Sequence, residues 1–537
     1  MDYNLNFFLV LNKKMGDSIR KLGKVFGGII QEYVERCDEH KEDPETNELP
    51  EGLFSELVNT LKNKKELSGT LSKYSCSSVL YTTIKWDTQA FIWACYRGHL
   101  EFAKWLKENW PEINHRANDD EAFRLACRYG RLEIAKWLKT NWSDIDHSVE
   151  DDWAFREACR HGHIEVAKWL KKNWPSINHR INNDEAFRYA CYNGHLEVAK
   201  WLKNNWPNID HRTENDWAFR WACENGHIEV AKWLKANWPD IDHRAGNDWA
   251  FRGACVYGHL KVAKWLKVNW PDIDHRADND YVFRSTCANG NLEVAKWLKS
   301  NWPNINHRIE NDWAFQLACY HGHLEVVKWL KATWPEIDHR VKNDWAFRGA
   351  CYNGSLEVAK WLKTNWPEID QHADNDYAFR GACRNGHLEV AKWLKNNWPE
   401  IDHRADNDYI FQYTCKNGHL DVAKWLKTNW PEIDHSAEND YAFRSACYNG
   451  HLEVAKWLKA NWPEINYRAD NDYAFRYACS NGHLEVAKWL KANWPEIDHL
   501  AENNWAFRWA CNNGRLEIMK WLKKNWPEVD PVNRIII

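Results

Sequence analysis

The chain has 537 residues, of which 44% are hydrophobic, and its acidic and basic residues nearly balance to a formal net charge of −4. No apolar run approaches the roughly 18 residues of a membrane span. No basic block is present either, so the composition argues against a membrane surface or a nucleic acid as partner.

The first 86 residues lie outside the regular pattern that fills the rest of the chain. An apolar stretch at Phe7–Leu11 has no basic region before it, so we do not expect a secretory signal. Further on, apolar residues fit one face of an amphipathic helix: Ile19, Leu22, Val25, Phe26, Ile29, Ile30 and Val34. We therefore predict a helical segment over residues 1–86.

Within this segment, residues 47–80 follow an acidic linker. They begin with Leu49 and Pro50 and continue with Leu57, Leu61 and other spaced leucines, a pattern that resembles an F-box. The resemblance implies an adaptor that brings a bound protein to a cullin-type ubiquitin ligase. The alternative, which we favour, is that residues 1–86 form a helical cap over the first unit of the array that follows.

A strict repeat fills residues 87–530, and residues 531–537 form a short tail. Cysteines recur every 32 residues from Cys95 to Cys511, which defines fourteen units. A fixed period of this length is typical of solenoids, in which each unit buries its apolar face on its neighbours. Stacked helices lie about 8–10 Å apart, whereas bridged cysteines need Cα atoms within roughly 7 Å. We therefore expect buried free thiols in a reducing compartment, the cytoplasm.

The residue pattern of each unit predicts two helices. In the unit around Cys479, Asp472 is a candidate N-cap, Phe475, Ala478 and Cys479 form an inward face, and Gly482 ends the first helix. The second helix carries its apolar residues at helical spacing, with Glu485 and Lys488 outside. Pro495 ends it, because proline disfavours helix at the preceding residue.

The segment 478–488, Ala-Cys-Ser-Asn-Gly-His-Leu-Glu-Val-Ala-Lys, resembles the ankyrin repeat, and the resemblance covers the array. It implies an all-α, ankyrin-like solenoid of about fourteen 32-residue helix-turn-helix repeats. The Trp-rich version resembles arrays of giant amoeba-infecting DNA viruses. Two pairs depart from the family pattern: Tyr473-Ala474 replaces Thr-Pro, and Trp494-Pro495 replaces Gly-Ala. The unit is also one residue shorter than usual, so we expect a shorter or differently shaped connecting loop.

Two positions vary between units while most do not. The rows through Trp93 and Tyr96 range from Gly to Trp and Glu, and a packed core does not tolerate such changes in volume. We therefore predict that both rows are exposed, and the resemblance implies that they lie on the concave binding face. Tyr, Trp and Arg are typical of binding hot spots. The candidate partner-binding residues are Trp93, Tyr96, Arg128, Tyr189, Tyr192, Trp221, Tyr320, Tyr352, Arg384, Tyr413, Tyr448, Tyr477 and Trp509. The alternative is drift on an unused solvent face.

Two rows of histidines, through His99 and through His115, raise the question of a metal site. Metal ligands must converge on one point, which the rungs of a stack do not do, so we expect no metal. The resemblance implies that the Gly-His histidines bond to loop backbone. The invariant rows through Trp105 and Trp110 indicate packing rather than base stacking, and the arginine row through Arg124 indicates bonds to carboxylates of the adjacent turn.

No serine elbow, phosphate loop or metal motif is present in the sequence, so we predict no catalytic site, no enzyme activity and no cofactor. The leading hypothesis is a monomeric, non-catalytic scaffold that binds protein partners. The ubiquitin ligase adaptor is one alternative. A structural, self-assembling viral component is another, and a viral scaffold would act in the cytoplasm of the host cell.

Overall fold

The computed structural model describes residue 88 and residues 91–526, apart from residues 110, 112, 274–276, 306–311, 339, 341, 370–372, 402–404 and 435. The array belongs to a unit of its own that begins at Ala90. The predictions for residues 1–86, including the F-box-like stretch 47–80, and for the tail 531–537 fall outside the described residues. Those predictions are therefore untested.

The second helix of each unit is nearly identical in length. These helices are Leu100–Asn109, Leu132–Asn141, Ile164–Asn173, Leu196–Asn205, Ile228–Asn237, Leu260–Asn269, Leu292–Asn301, Leu324–Thr333, Leu356–Asn365, Leu388–Asn397, Leu420–Asn429, Leu452–Asn461, Leu484–Asn493 and Leu516–Asn525. Each ends two residues before the Pro position of its unit, or its counterpart Ser143, as predicted.

The first helices are more varied in their bounds. Residues 91–97 are helical, and the later first helices are Ala117–Arg128, Val149–Arg160, Glu185–Tyr192, Thr213–Glu224, Ala245–Val256, Ala277–Ala288, Trp313–Tyr320, Trp345–Tyr352, Ala373–Arg384, Ala405–Lys416, Ala437–Tyr448, Ala469–Asn481 and Ala501–Asn512. The described part of the chain contains no strand. The all-α repeat predicted from the sequence is therefore confirmed.

Three consecutive left-handed residues precede the regular part of the first helix. In the unit of Thr213–Glu224 they are Glu214, Asn215 and Asp216, with φ of 52°, 57° and 54°. Asn and Asp are the non-glycine residues that enter this region most easily, because their short polar side chains can bond locally. The connecting loop between units therefore ends in a left-handed turn.

The prediction that Asp472 caps its own helix is wrong. Its side chain makes no capping hydrogen bond, and its Oδ2 accepts instead from the backbone N–H of Asp498 at 3.3 Å. Asp152 accepts from the N–H of Asn178 at 3.1 Å in the same way. The left-handed backbone turns the carboxylate away from the helix, so this buried aspartate joins the two ends of a unit.

The glycine after the first helix ends it in the way the sequence predicts. Gly386 has a φ of 82°, and the N–H of His387 bonds to the carbonyl of Ala382 at 2.9 Å. This is the pattern of a Schellman cap, which satisfies carbonyls that the helix leaves unpaired.

Neighbouring units are joined by an aromatic contact that recurs along the array. Phe347, 1% exposed, meets Trp393 and Trp398 of the next unit, with ring centroids 6.2 and 5.8 Å away. The Nζ atom of Lys363 lies 4.5 Å from the ring centroid of the same Trp398. Both tryptophan rows therefore pack at the interfaces between units, as their invariance predicted.

The cysteines that recur every 32 residues, which we call the grid cysteines, belong to the core of the array. All fourteen are free thiols, and all except Cys511 are buried. Burial raises the pKa of the Cys223 and Cys319 thiols well above the ordinary value, as it does for the other buried grid cysteines. They act as small core residues, as predicted.

Candidate interaction surface

Three positions of each first helix form one outward-facing row. In the helix Trp345–Tyr352 they are Trp345, Gly349 and Tyr352, and their spacing of four and three residues places them on one helix face. We call the equivalent positions of all units the helix-one stripe. The second and third positions are the two variable rows of the sequence analysis.

The candidate residues on this stripe are less exposed than the sequence predicts. Trp509 is exposed at 41%, and the other twelve candidates are half-buried. At five other positions of the two rows, the prediction of an exposed side chain is wrong. These are Glu157, Glu224, Ala288, Ser445 and Ser480, which are 3 to 8% exposed.

The reason is a diagonal contact between neighbouring units. The third stripe position of one unit packs on the second stripe position of the next. A Cβ atom built on Gly381 would lie 2.8 Å from Cδ2 of Tyr352, and one built on Gly253 would lie 2.9 Å from Cβ of Glu224. At these two places a large side chain at the third position therefore faces glycine in the following unit.

Other diagonal pairs match by charge or by ring contact. Arg128 lies 3.5 Å from Glu157, and the guanidinium of Arg160 lies 4.2 Å from the ring centroid of Tyr189. Part of the variation that the sequence shows is thus matched between neighbours. Packing between neighbouring units is thus a third explanation for the variability of the two rows, beside partner binding and drift.

Sequence reasoning missed the first stripe position. It is aromatic in most units and was noted only as a departure from Thr-Pro. Its aromatic members are Trp153, Trp217, Trp249, Tyr281, Trp313, Trp345, Tyr377, Tyr409, Tyr441, Tyr473 and Trp505. Its recurrence beside two rows already singled out was the available signal, because residues at helical spacing share a face.

The arginine row holds the left-handed turns and supports this aromatic row. Arg348 donates from Nε to the carbonyl of Asn343 at 2.7 Å and from Nη2 to that of Lys342 at 2.8 Å. Its guanidinium lies 5.2 Å from the ring centroid of Tyr377 in the next unit. The predicted carboxylate bonds are made in several of the units that the structure describes, as between Arg188 and Glu214 at 3.0 Å.

Aromatic side chains of the stripe gather into clusters that span several units. Cluster one contains Tyr189, Tyr192, Trp217, Trp221 and Trp249, with neighbouring ring centroids 5.4 to 5.9 Å apart. Glu224 accepts from the indole N–H of Trp249 at its edge.

Cluster two contains Trp313, Tyr320, Trp345, Tyr352 and Tyr377, and two of its ring pairs are nearly parallel. The planes of Tyr320 and Trp345 differ by 18°, and those of Tyr352 and Tyr377 by 13°. Smaller residues such as Val256 and Ala288 occupy the third stripe position between the two clusters.

The remaining candidates lie nearer the ends. Arg384 and Tyr413 contact each other, as do Tyr448 and Tyr477 and, through Trp505, Trp509. Trp93 lies against His99 and Tyr96 against Tyr129 in the first described units. The structure therefore groups most of the predicted residues into aromatic contacts within and between units.

The Gly-His histidines couple units through backbone, as the resemblance implied. A Cβ atom on Gly354 would lie 2.5 Å from Nδ1 of His387 in the next unit. The ring of His387 also bonds to the backbone of Tyr352, whose carbonyl accepts from Asn385 Nδ2 at 3.1 Å. Burial lowers the pKa of His387.

Among the described residues, no group of three or more His, Cys, Asp or Glu side chains is arranged to hold a metal ion. The same part of the chain includes no helix with the length and apolar character that crossing a membrane requires.

Family models match most of the array. The model described as ankyrin repeats in three copies matches residues 155–245, 251–343, 347–439 and 443–534. A second model, described as ankyrin repeats in many copies, matches residues 89–138. No curated protein matches the chain.

Proposed function

Since the chain belongs to the ankyrin repeat family, we propose that it is a non-catalytic scaffold that binds partner proteins through the helix-one stripe. The family is generally non-catalytic and mediates protein–protein interactions. The stripe corresponds to the concave face of ankyrin arrays, and the first helices of successive units pack against each other more extensively than the second helices do.

The observation that carries this proposal is the contrast between the two helix faces. The outer face of the second helix repeats one ion pair along the array, as in Glu325–Lys328 and Glu357–Lys360, both at 2.7 Å. The stripe instead changes from unit to unit and concentrates half-exposed Tyr, Trp and Arg, the residues enriched at binding hot spots. A face that varies along the array supplies specificity, whereas an identical repeat does not.

The test compares two variants of the full chain in affinity capture from cells with quantitative mass spectrometry. The stripe variant carries Tyr192→Ala, Trp221→Ala, Tyr320→Ala and Tyr352→Ala. The control variant carries Glu325→Ala, Lys328→Ala, Glu357→Ala and Lys360→Ala on the second helices. We expect the stripe variant alone to lose partners, with circular dichroism confirming that both variants fold. Retention of every partner by the stripe variant would contradict the proposal.

The adaptor hypothesis depends on residues 47–80 and remains a prediction. It expects the full chain to capture a ligase core subunit that disappears when residues 47–80 are deleted. The structural viral component, the host setting and the cytoplasmic location also remain predictions. Self-association of the purified chain, measured by light scattering, would favour the structural component over the monomeric scaffold.

A further inference from the structure

Cluster two forms an open recess on the helix-one stripe. The recess has a volume of about 450 Å³ and is lined by Tyr320, Trp345, Arg348, Gly349, Tyr352 and Tyr377. It exists because glycine occupies the second stripe position in two successive units. Tyr320 therefore lies over Gly349, and Tyr352 over Gly381, without a Cβ atom beneath either ring.

The recess offers ring surfaces together with hydrogen-bond donors. The indole N–H of Trp345 and the hydroxyls of Tyr320 and Tyr352 bond to no acceptor in the part of the chain that the structure describes. Aromatic grooves with free donors fit a polyproline II segment, which has no internal hydrogen bonds and leaves its carbonyls open.

The spacing of the array matches this conformation. A polyproline II helix rises about 3.1 Å per residue and about 9 Å per three-residue turn. Stacked helices lie about 8–10 Å apart. Every third residue of such a segment would therefore face an equivalent position of the next unit.

Two cations follow the recess along the stripe. Arg384 lies 5.2 Å from the ring centroid of Tyr413, and Lys416 donates to the hydroxyl of Tyr441 at 3.1 Å. Neither cation has a carboxylate partner among the described residues. From Gly253 to the end of the array, moreover, the eight-residue segments that carry the stripe contain no Asp or Glu. An acidic side chain of the ligand would thus complement this end of the recess.

We propose that the stripe from Tyr320 to Lys416 binds an extended, proline-rich protein segment of about nine residues. Proline or aliphatic side chains at every third position occupy the aromatic recess, and acidic residues at one end face Arg384 and Lys416. This inference rests on the proposed function and specifies the class of partner for that surface.

The test is a selection from a random dodecapeptide phage library on the immobilised full chain, followed by fluorescence anisotropy with the most enriched peptide. We expect prolines spaced by three residues and an acidic end. The Tyr320→Ala/Tyr352→Ala variant should bind that peptide at least about tenfold more weakly, as expected for aromatic hot spots. The Arg384→Gln/Lys416→Gln variant should bind it more weakly and with less dependence on salt.

The matched control is Tyr257→Ala, which removes a 58% exposed tyrosine from another unit and should leave binding unchanged. Enriched peptides without the proline spacing, absence of enrichment, or equal binding to the tyrosine variant would each overturn the inference. Tighter binding of a labelled oligothymidylate would assign the rings to base stacking and overturn it as well. If capture of partner proteins still depends on the stripe in any of these cases, the scaffold function stands and only the proline-rich class of partner is ruled out.

Discussion

The last described unit, residues 501–526, differs from the interior units in what covers it. Its sequence is nearly that of its neighbours, yet a Cβ atom on Gly514 meets no atom within 4 Å, whereas one on Gly354 meets the ring of His387. Leu516 is 59% exposed, while its interior counterpart Leu484 is half-buried. The following unit therefore covers surface that each interior unit would otherwise expose, so the sequence of one unit alone does not set the stability of that unit.

The largest expected loss of stability comes from removing the phenylalanine that contacts two tryptophans of the next unit. Phe347→Ala should cost about 3–5 kcal/mol, because it opens a cavity between two units. Phe507, at 6% exposure, has no following unit among the described residues, so we expect Phe507→Ala to cost less than half as much. Urea unfolding followed by circular dichroism measures both. Equal losses would mean that contacts within a unit dominate.

Substitution of the glycine after the first helix should give the next largest effect. Gly354→Ala and Gly514→Ala both place a side chain at positive φ, which costs about 1–2 kcal/mol. Gly354→Ala must also displace His387, so we expect the larger loss in thermal stability at this position. Serine stands in place of that histidine over Gly322, with Oγ 2.7 Å from the Cβ position. Adding His387→Ser to Gly354→Ala should therefore recover part of the loss, and an unchanged loss would show that backbone strain alone is responsible.

Thiol labelling tests the difference between the last unit and the interior units without changing the fold. Cys511 is the grid cysteine that is not buried; burial raises the pKa of all fourteen thiols, and it does so most strongly at the thirteen that are buried. A Cys37→Ser/Cys76→Ser chain treated with a maleimide at pH 7.5 should react quickly at Cys511 and slowly elsewhere, because only the thiolate reacts. Peptide mass spectrometry over time identifies the sites. Rapid labelling of Cys351 would indicate that interior units open as readily as the last one.

The sequence predicted the features that follow from local rules. The period, the glycine and proline helix ends, the buried cysteines and the packing role of the tryptophans depend on one unit and its invariance. The candidate surface was predicted in part, since two of its three rows were found from their variability. The third row escaped notice because its aromatic residues vary little between units.

Contacts between residues distant in sequence were the part that the local pattern could not predict. Glu157 and Glu224 were expected to be exposed, yet both are buried, Glu157 beside Arg128 and Glu224 beside Gly253 of a neighbouring unit. Asp472 was expected to cap its helix because Asp is a good N-cap, but the left-handed turn before it redirects the carboxylate to Asp498. In both cases a contact distant in sequence outweighed a sound local preference.

The smallest expected effect is a pH dependence that arises in the interior units. Burial lowers the pKa of His259, His387 and His419, so the unfolded chain binds more protons than the folded chain below about pH 6.5. The stability that these histidines contribute is therefore present above pH 6.5 and is lost as the pH falls toward their folded pKa values. The last unit carries Arg515 at this position and lacks this dependence.

A triple variant with His259→Asn, His387→Asn and His419→Asn isolates that effect, because Asn291 already fills the position in one unit and donates to the carbonyl of Val256 at 2.6 Å. Thermal melts between pH 7.5 and 5.5 should show a smaller decrease for the variant than for the natural sequence, with similar stability at pH 7.5. The titratable groups outside these three positions are common to both chains, so their contribution cancels in the difference. Parallel curves would show that these rings join units through shape and hydrogen bonding alone, and the interior would then differ from the last unit in packing but not in charge.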